Sequence, residues 1–212
     1  MLLAFDTATP RVTVALHDGA GVVVERTSAE AMRHGEQLAP LIDQALREAG
    51  LVRQDLTALA VGVGPGPFTG LRVGLVTARM MATVLQIPVY GVCTLDVLAV
   101  EAVDTGAVSE EFVVATDARR KEVYLAAYDA DGVRLDGPVV ARPADVATAR
   151  PAVGQGAGLY PEAFSRAVGP QLPSAGWLAH TVATERAELL GPEPLYLRRP
   201  DAVAPGPPKP VS

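Results

Sequence analysis

The sequence predicts an α/β protein built from two lobes, each a mixed sheet with helices. In the first half, short apolar runs typical of strands are interspersed with segments of helical periodicity. The second half restarts as the first does, with a strand, a polar turn that begins in Asp, and a return strand. We therefore predict an N-terminal lobe over residues 1–104 and a C-terminal lobe over 105–199. Residues 200–212 are Pro-rich and are predicted to be a disordered tail.

Hydrophobic periodicity and turn residues place the elements of the first half. Alternating apolar residues around Asp18-Gly19 predict a hairpin after the first strand. Apolar residues at i, i+3, i+4 and i+7 spacing predict a helix that Gly50 ends. The predicted strands span residues 2–5, 12–16, 22–24, 59–63 and 89–92. The predicted helices span residues 35–49, 70–85 and 95–103.

The second half carries weaker signals. Its predicted strands span residues 112–116 and 123–128, with shorter ones near residues 139 and 153. Its predicted helical segments span residues 161–168 and 177–190.

Composition and charge argue against several function classes. Apolar residues make up 49% of the chain and charged residues 20%, the balance of an ordinary globular protein. Aromatic residues make up only 5%, which argues against a single-stranded nucleic-acid binder that stacks bases. The net charge is −6, and the longest basic run is Arg119-Arg120-Lys121. If the protein acts on RNA, we therefore expect another protein to hold that RNA.

Metal and membrane functions are also not expected. Cys93 is the only cysteine and has apolar neighbours, which predicts a buried thiol and excludes an internal disulfide. The three histidines show no metal-ligand spacing. The N-terminus lacks a basic leader and no apolar run approaches the length of a membrane span, so we predict a cytoplasmic protein with no membrane contact.

Three polar or glycine-rich turns are candidates for nucleotide binding: the turn after the first strand, the loop from residue 64, and a glycine-rich turn over residues 154–158. An acid and hydroxyls after the first strand can hold a metal–nucleotide phosphate, as in kinases with an actin-like fold. A hydrogen-bonded turn is the alternative, and Ala8 favours it because its methyl group stands where a glycine would admit phosphate. The loop from residue 64 has glycines before a helix but no Gly-Lys-Ser/Thr, so it is not a P-loop. The candidate nucleotide-binding residues are Asp6, Thr7, Thr9, Gly64, Gly66, Gly154 and Gly156.

The second predicted helix is apolar on nearly all sides. Such a helix is buried in its own domain or covered by a partner. Gly70, Gly74, Ala78 and Ala82 are spaced four apart and form a ridge with almost no side chains. This ridge admits either another helix or the protein's own sheet.

The segment Gly64-Pro-Gly-Pro-Phe-Thr-Gly-Leu-Arg-Val-Gly74 closely resembles the signature of the TsaB (YeaZ) family, a subunit of the bacterial threonylcarbamoyladenosine synthesis complex. Pro67 stands where the family usually has Ser. Other segments agree in order, namely residues 3–8, His34 with Leu38 and Pro40, residues 117–124 and residues 194–198. The resemblance spans roughly residues 1–199.

The resemblance implies the two-lobed fold of the actin-like ATPases and a non-catalytic role. By this resemblance, TsaB is a degenerate relative of TsaD. TsaD carries a metal-binding pair of histidines and transfers the threonylcarbamoyl group to adenosine at position 37 of tRNA. Leu38 stands where the second histidine would be needed. The implied partners are a TsaD-like transferase, a TsaE-like ATPase and, without them, a second copy of the chain. No intrinsic cofactor is expected, and ATP or ADP at the interface of the complex is left open.

The family pairs through helices of the first lobe, which predicts the contact residues. They are Leu38, Leu41, Ile42, Ala45, Gly70, Gly74, Ala78 and Met81, which form or support the contact. Ala78→Arg is then predicted to abolish pairing and leave the monomer folded.

Two other functions are considered: a stand-alone actin-fold ATPase or kinase that uses Asp6 and Thr7, and a metalloprotease, which the missing histidine pair argues against.

Overall fold

The computed structural model describes residues 1–198, and the predicted disordered tail over 200–212 lies outside these residues. The strands are β1 Leu2–Asp6, β2 Thr13–His17, β3 Val22–Thr27, β4 Ala58–Gly62, β5 Val89–Val92, β6 Phe112–Asp117, β7 Val123–Tyr128, β8 Arg134–Ala141, β9 Ala152–Val153 and β10 Ala167–Val168. The helices are α1 His34–Glu48, α2 Phe68–Leu85, α3 Thr94–Asp104, α4 Gln155–Leu159 and α5 Ala175–Ala183. Short 3-10 turns lie at Arg53–Asp55 and Pro143–Val146.

The two halves contain the same sheet. The first sheet has the order β3-β2-β1-β4-β5, and the second has the order β8-β7-β6-β9-β10. In each sheet the first three strands are antiparallel and the remaining pairings are parallel. The internal echo seen in the sequence is therefore a repeated topology, and the two-lobed actin-like fold is confirmed.

Helices cover both faces of the first sheet. On one face, α1 and α2 bury Leu38 and Leu71 against Phe5. On the other face, α5 buries Leu178 against Ala4 and Ala15, whose small side chains allow close approach. Alternate residues of β1 thus point to opposite cores, as strand geometry requires.

Helices cross the predicted division at residue 104. α3 lies on the N-terminal side of this division but packs on the second sheet, where Leu98 shares a core with Phe112 and Val114. α5 follows the second sheet in sequence but packs on the first. Residues 190–198, called the strap below, return to the first sheet, because Leu190 pairs with Gly91 and the Leu195 N–H donates to the Val63 carbonyl at 2.9 Å.

Three predicted elements of the second half are wrong. Residues 161–168 form a turn and β10 rather than a helix, because Val168 pairs with Val153 in the sheet. The last helix ends at Ala183 rather than 190, and Glu185 has a left-handed φ of 53°. The glycine-rich segment 154–158, predicted as a turn, lies mostly in α4, which spans Gln155–Leu159.

α2 departs from the expectation that no apolar segment approaches the length of a membrane span. Its 18 residues have a mean hydropathy of 1.2, so its length and composition meet the criterion for a membrane-spanning helix. Leu71, Leu75 and Ala78 bury one side of it in the first-lobe core, and core helices also meet that criterion.

Candidate functional site

The small-residue ridge of α2 packs against the end of β1. The Thr7 hydroxyl donates to the Gly70 carbonyl at 2.8 Å and accepts the Gly74 N–H at 3.1 Å. A Cβ at Gly74 would collide with that hydroxyl, and a Cβ at Gly70 would lie 2.7 Å from the Thr7 carbonyl oxygen. Of the two alternatives for this ridge, packing on the protein's own sheet is correct.

The predicted nucleotide-binding turn after β1 is bonded within the chain. The Asp6 carboxylate accepts the Ala8 N–H at 2.6 Å and the Thr94 hydroxyl at 2.8 Å. Asp6 is only 1% exposed, and burial raises the pKa of its carboxyl although both hydrogen bonds oppose that rise. His34 Nε2 donates to the Thr9 carbonyl at 2.7 Å. This arrangement matches the hydrogen-bonded turn that was the alternative to phosphate binding.

The structure brings only some of the candidate nucleotide residues together. Gly66 lies against the Ala8 carbonyl, and Gly64 lies next to it with a φ of 91°, so both pack beside the turn after β1. Gly154 and Gly156 lie in the second lobe against the Ala115 carbonyl. A side chain at Gly156 would come within 2.8 Å of that oxygen, so close packing within the sheet explains its glycine.

His34 is the first residue of α1 and is buried. Its ring lies 3.1 Å from the position a Cβ at Gly70 would take. It therefore links the start of α1, the turn after β1 and the start of α2. Within residues 1–198, no group of three or more His, Cys, Asp or Glu side chains is placed to hold a metal ion.

Six of the eight predicted contact residues lie in the protein's own core, where they can support a helical contact from beneath but do not form its exposed surface. Their exposed fractions are low because the first sheet and the two helices bury them. They are Leu38, Ile42, Ala45, Gly70, Gly74 and Ala78. Leu41 and Met81 are half-buried at the edge of the same core. The predicted outcome of Ala78→Arg is therefore corrected, because a guanidinium cannot fit at a site with 0% exposure without unfolding it.

The outward side of α2 carries a row of exposed apolar side chains instead. Val76, Met80 and Val84 are spaced four apart and are 56%, 61% and 73% exposed. We call these three residues the α2 stripe. Residues at this spacing form one continuous ridge along a helix. Sequence analysis missed the stripe because the helix is apolar on nearly every side, which leaves no polar face to orient it.

An apolar groove runs between the α2 stripe and α1. Its volume is about 280 Å³, and its lining includes Ala39, Thr77 and Met80. At its edge Arg53 donates to Asp43 at 2.6 Å. An apolar groove with one ion pair at its edge can accept apolar side chains from a partner helix.

The strap covers a different side of α2. Arg79 donates to the Pro192 carbonyl at 2.8 Å, and Arg72 donates to the Tyr196 hydroxyl at 2.9 Å. The Phe68 ring stacks on Tyr196 with 5.2 Å between centroids. With the core on one side and the strap on another, the α2 stripe is the side left to solvent.

A second buried polar cluster joins α3 to the second sheet. The Tyr128 hydroxyl donates to Asp96 at 2.7 Å, and Arg134 lies 3.7 Å from the same carboxylate. Burial raises the pKa of the Asp96 carboxyl. Cys93 is fully buried beside this cluster, and burial raises the pKa of its thiol to about 12. The predicted buried thiol is confirmed, and at neutral pH it is not a nucleophile.

The solved structures include one that matches nearly the whole chain. YeaZ from Pseudomonas aeruginosa is 32% identical, with a TM-score of 0.76 over 92% of this chain and 99% of that one. The chain belongs to the TsaB (YeaZ) family. The family signature maps onto the loop before α2 and the first turns of that helix, so the segment that identifies the family also positions the α2 stripe.

Sequence relatives agree with this membership. The tRNA threonylcarbamoyladenosine biosynthesis protein TsaB of Escherichia coli is 36% identical over 61% of this chain and 55% of its own length. An uncharacterized protein of Mycobacterium tuberculosis is 43% identical over 95% of this chain and 93% of its own length. The family model described as TsaD, tRNA N6-adenosine threonylcarbamoyltransferase, matches residues 10–170. That match extends over strands of both sheets, as expected for subunits that share one fold.

Proposed function

We propose that this chain is a non-catalytic partner of a TsaD-like transferase, required for N6-threonylcarbamoyladenosine formation at position 37 of tRNA. It acts by forming a complex in the cytoplasm. A TsaE-like ATPase joins that complex, and the chain reaches its tRNA substrate through the complex. The names of the TsaB relatives support the pathway.

The observation that carries this proposal is the exposed α2 stripe beside the groove. Burying three large side chains that are more than half exposed favours association by several kcal/mol before the costs of binding, at about 1.5–3 kcal/mol for each fully buried side chain. A transferase of the same fold offers a corresponding α1–α2 pair, so two helix pairs pack face to face. Without the transferase, a second copy of the chain covers the same face and forms a homodimer.

The turn after β1 supports a non-catalytic role. Asp6 and Thr7 would have to give up buried hydrogen bonds to α2, α3 and their own turn before either could hold a nucleotide phosphate. We therefore assign no intrinsic cofactor. ATP or ADP, where the reaction requires it, is proposed to bind at the interface of the complex rather than in the turn after β1.

Surface variants with a matched control test the proposal. Met80→Lys with Val84→Lys places two cations in the stripe, while Val133→Lys with Leu135→Lys makes the same change in charge at side chains that are 60% and 55% exposed in the second lobe. Each variant is mixed with TsaD, TsaE and the threonylcarbamoyl-adenylate synthase. Pairing is measured by light scattering and modification by threonine incorporation into tRNA.

The stripe variant is expected to lose pairing and modification together, with the control at wild-type levels. Modification that proceeds without this chain would overturn the proposed requirement, and pairing by the stripe variant would overturn the proposed surface. ATP turnover by the isolated chain would instead support the stand-alone ATPase or kinase.

A further inference from the structure

The second lobe contains a cleft that the proposed function does not use. Its volume is about 640 Å³, within the range of small-molecule sites. It lies where the β6–β7 turn, the 3-10 turn at Pro143–Val146 and the end of α4 meet. Its charged lining residues are Lys121, Arg142 and Glu162, and its apolar walls include Leu159, Tyr160 and Pro161.

The last residue of the longest basic run, Lys121, lines this cleft. Arg119, Arg120 and Lys121 have left-handed φ values of 61°, 56° and 59°, a conformation that non-glycine residues rarely adopt in succession. The turn is closed by two backbone hydrogen bonds of 3.0 Å between Ala118, Arg119 and Glu122. This backbone brings Lys121 to the wall of the cleft beside Arg142.

Among the described residues, the two cations of this cleft lack the carboxylate partners that arginines in two other clefts have. Neither Lys121 nor Arg142 forms an ion pair with a carboxylate within residues 1–198. In contrast, Arg53 pairs with Asp43 at 2.6 Å, and Arg186 pairs with Asp104 at 2.8 Å. An arginine and a lysine without a carboxylate partner at a concave site are available to a bound anion.

We propose that this cleft binds a nucleotide. Lys121 and Arg142 hold the phosphate, and the wall of Leu159, Tyr160 and Pro161 accepts the base. Glu162 accepts hydrogen bonds from ribose hydroxyls or base amino groups, which a bare phosphate ion would not offer. Two ligands offer a phosphate, a ribose and a base together: an RNA strand and a free nucleotide. The inference rests on the proposed function in that a tRNA-modifying complex would supply the RNA strand.

Binding by the full-length chain alone tests the cleft. The probes are a fluorescein-labelled single-stranded RNA of about ten nucleotides, AMP and inorganic phosphate, in about 50 mM salt. Lys121→Ser with Arg142→Ser is compared with Arg26→Ser with Arg33→Ser, which removes two paired arginines from the first lobe and changes the net charge equally. Circular dichroism confirms that each variant is folded.

The cleft variant is expected to bind RNA about tenfold more weakly or worse, with less than about a twofold change in the control. The slope of log affinity against log salt should fall by about 1.4 when two cations are removed from a single-strand site. Tyr160→Ala should weaken RNA and AMP alike. If AMP binds as tightly as RNA, the ligand is a free nucleotide; if only RNA binds, the ligand is an RNA strand.

The proposal is overturned if neither RNA nor AMP shows saturable binding, or if both double variants lose affinity equally. It is also overturned if inorganic phosphate competes with RNA as effectively as AMP competes with RNA. Both doubles are also assayed for pairing with the transferase. Normal pairing with lost RNA binding isolates the cleft. Lost pairing in the α2 stripe variant, with RNA binding intact, isolates the proposed function.

Discussion

Glu101 on α3 gives a pH-dependent stability that a single substitution should remove. Its Oε2 atom is buried and has no hydrogen-bond partner among the described residues. Burial, and next the nearby Glu25 carboxylate, raise the pKa of Glu101 from the ordinary 4.5 to about 7. Glu25 is held in place by the Ser174 hydroxyl, which donates to it at 2.7 Å. The folded chain therefore holds a proton on Glu101 at pH values where the unfolded chain has lost it.

The sign and size of the effect follow from this pKa. A raised carboxyl pKa stabilises the folded state fully below about pH 4.5, and that stability is lost as the pH rises through about 7. The difference between the two pKa values corresponds to about 3 kcal/mol at 1.36 kcal/mol per pH unit. Because the side chain is only half-buried, solvent screening reduces this to about 1–2 kcal/mol.

Glu101→Gln keeps the shape of the side chain and removes the charge. We expect the variant to be more stable than wild type by about 1–2 kcal/mol at about pH 8, and nearly equal to it at about pH 5. Urea unfolding followed by the fluorescence of Trp177, the only tryptophan, measures both values. Glu185→Gln, at an exposed glutamate, is the control. An equal difference at both pH values would refute the assignment of the pKa shift to Glu101.

Three further substitutions or reactions test the packing. Gly74→Ala should destabilise the fold by about 1–3 kcal/mol because the new methyl group collides with the Thr7 hydroxyl, and Thr7→Ala in the same chain should recover part of that loss in a double-mutant cycle. Cys93 should resist a thiol reagent at about pH 8 until urea unfolds the chain, and labelling in the native state would contradict its burial. Tyr128→Phe should cost about 1–3 kcal/mol in urea unfolding because it leaves the buried Asp96 carboxylate short of a donor; an unchanged midpoint would contradict that bond.

Most of the fold could be predicted from local patterns. Every strand of the first sheet was predicted to within three residues at either end, because alternation, the Asp18-Gly19 turn and short apolar runs are local signals. The same holds for α1, whose amphipathic spacing predicted both ends to within one residue. The apolar face of α1 was assigned to the partner contact, and it lies in the core. In the second half, β9 and β10 have two residues each and depend on pairing with β6, which no local pattern encodes.

The contact residues could not be predicted because orientation is a tertiary property. α2 is apolar on nearly every side, so its sequence does not distinguish the ridge that packs on Thr7 from the stripe that faces solvent. The strap adds to the difficulty, since it covers Arg72 and Arg79 from more than a hundred positions away. Small residues at a four-residue spacing indicated a close helix contact correctly, but the contact is with the chain's own β1.

The turn after β1 connects the residues considered for phosphate binding with the proposed partner surface. The Thr7 hydroxyl bonds two backbone groups of α2, and the Asp6 carboxylate bonds the first residue of α3. A phosphate in this turn would compete for the same groups and release the start of α2 from β1. The orientation of α2 that leaves its stripe exposed therefore depends on Asp6 and Thr7, the residues considered above for phosphate binding. A chain with this bonded turn can hold a fixed helical face for a partner without a ligand in the turn.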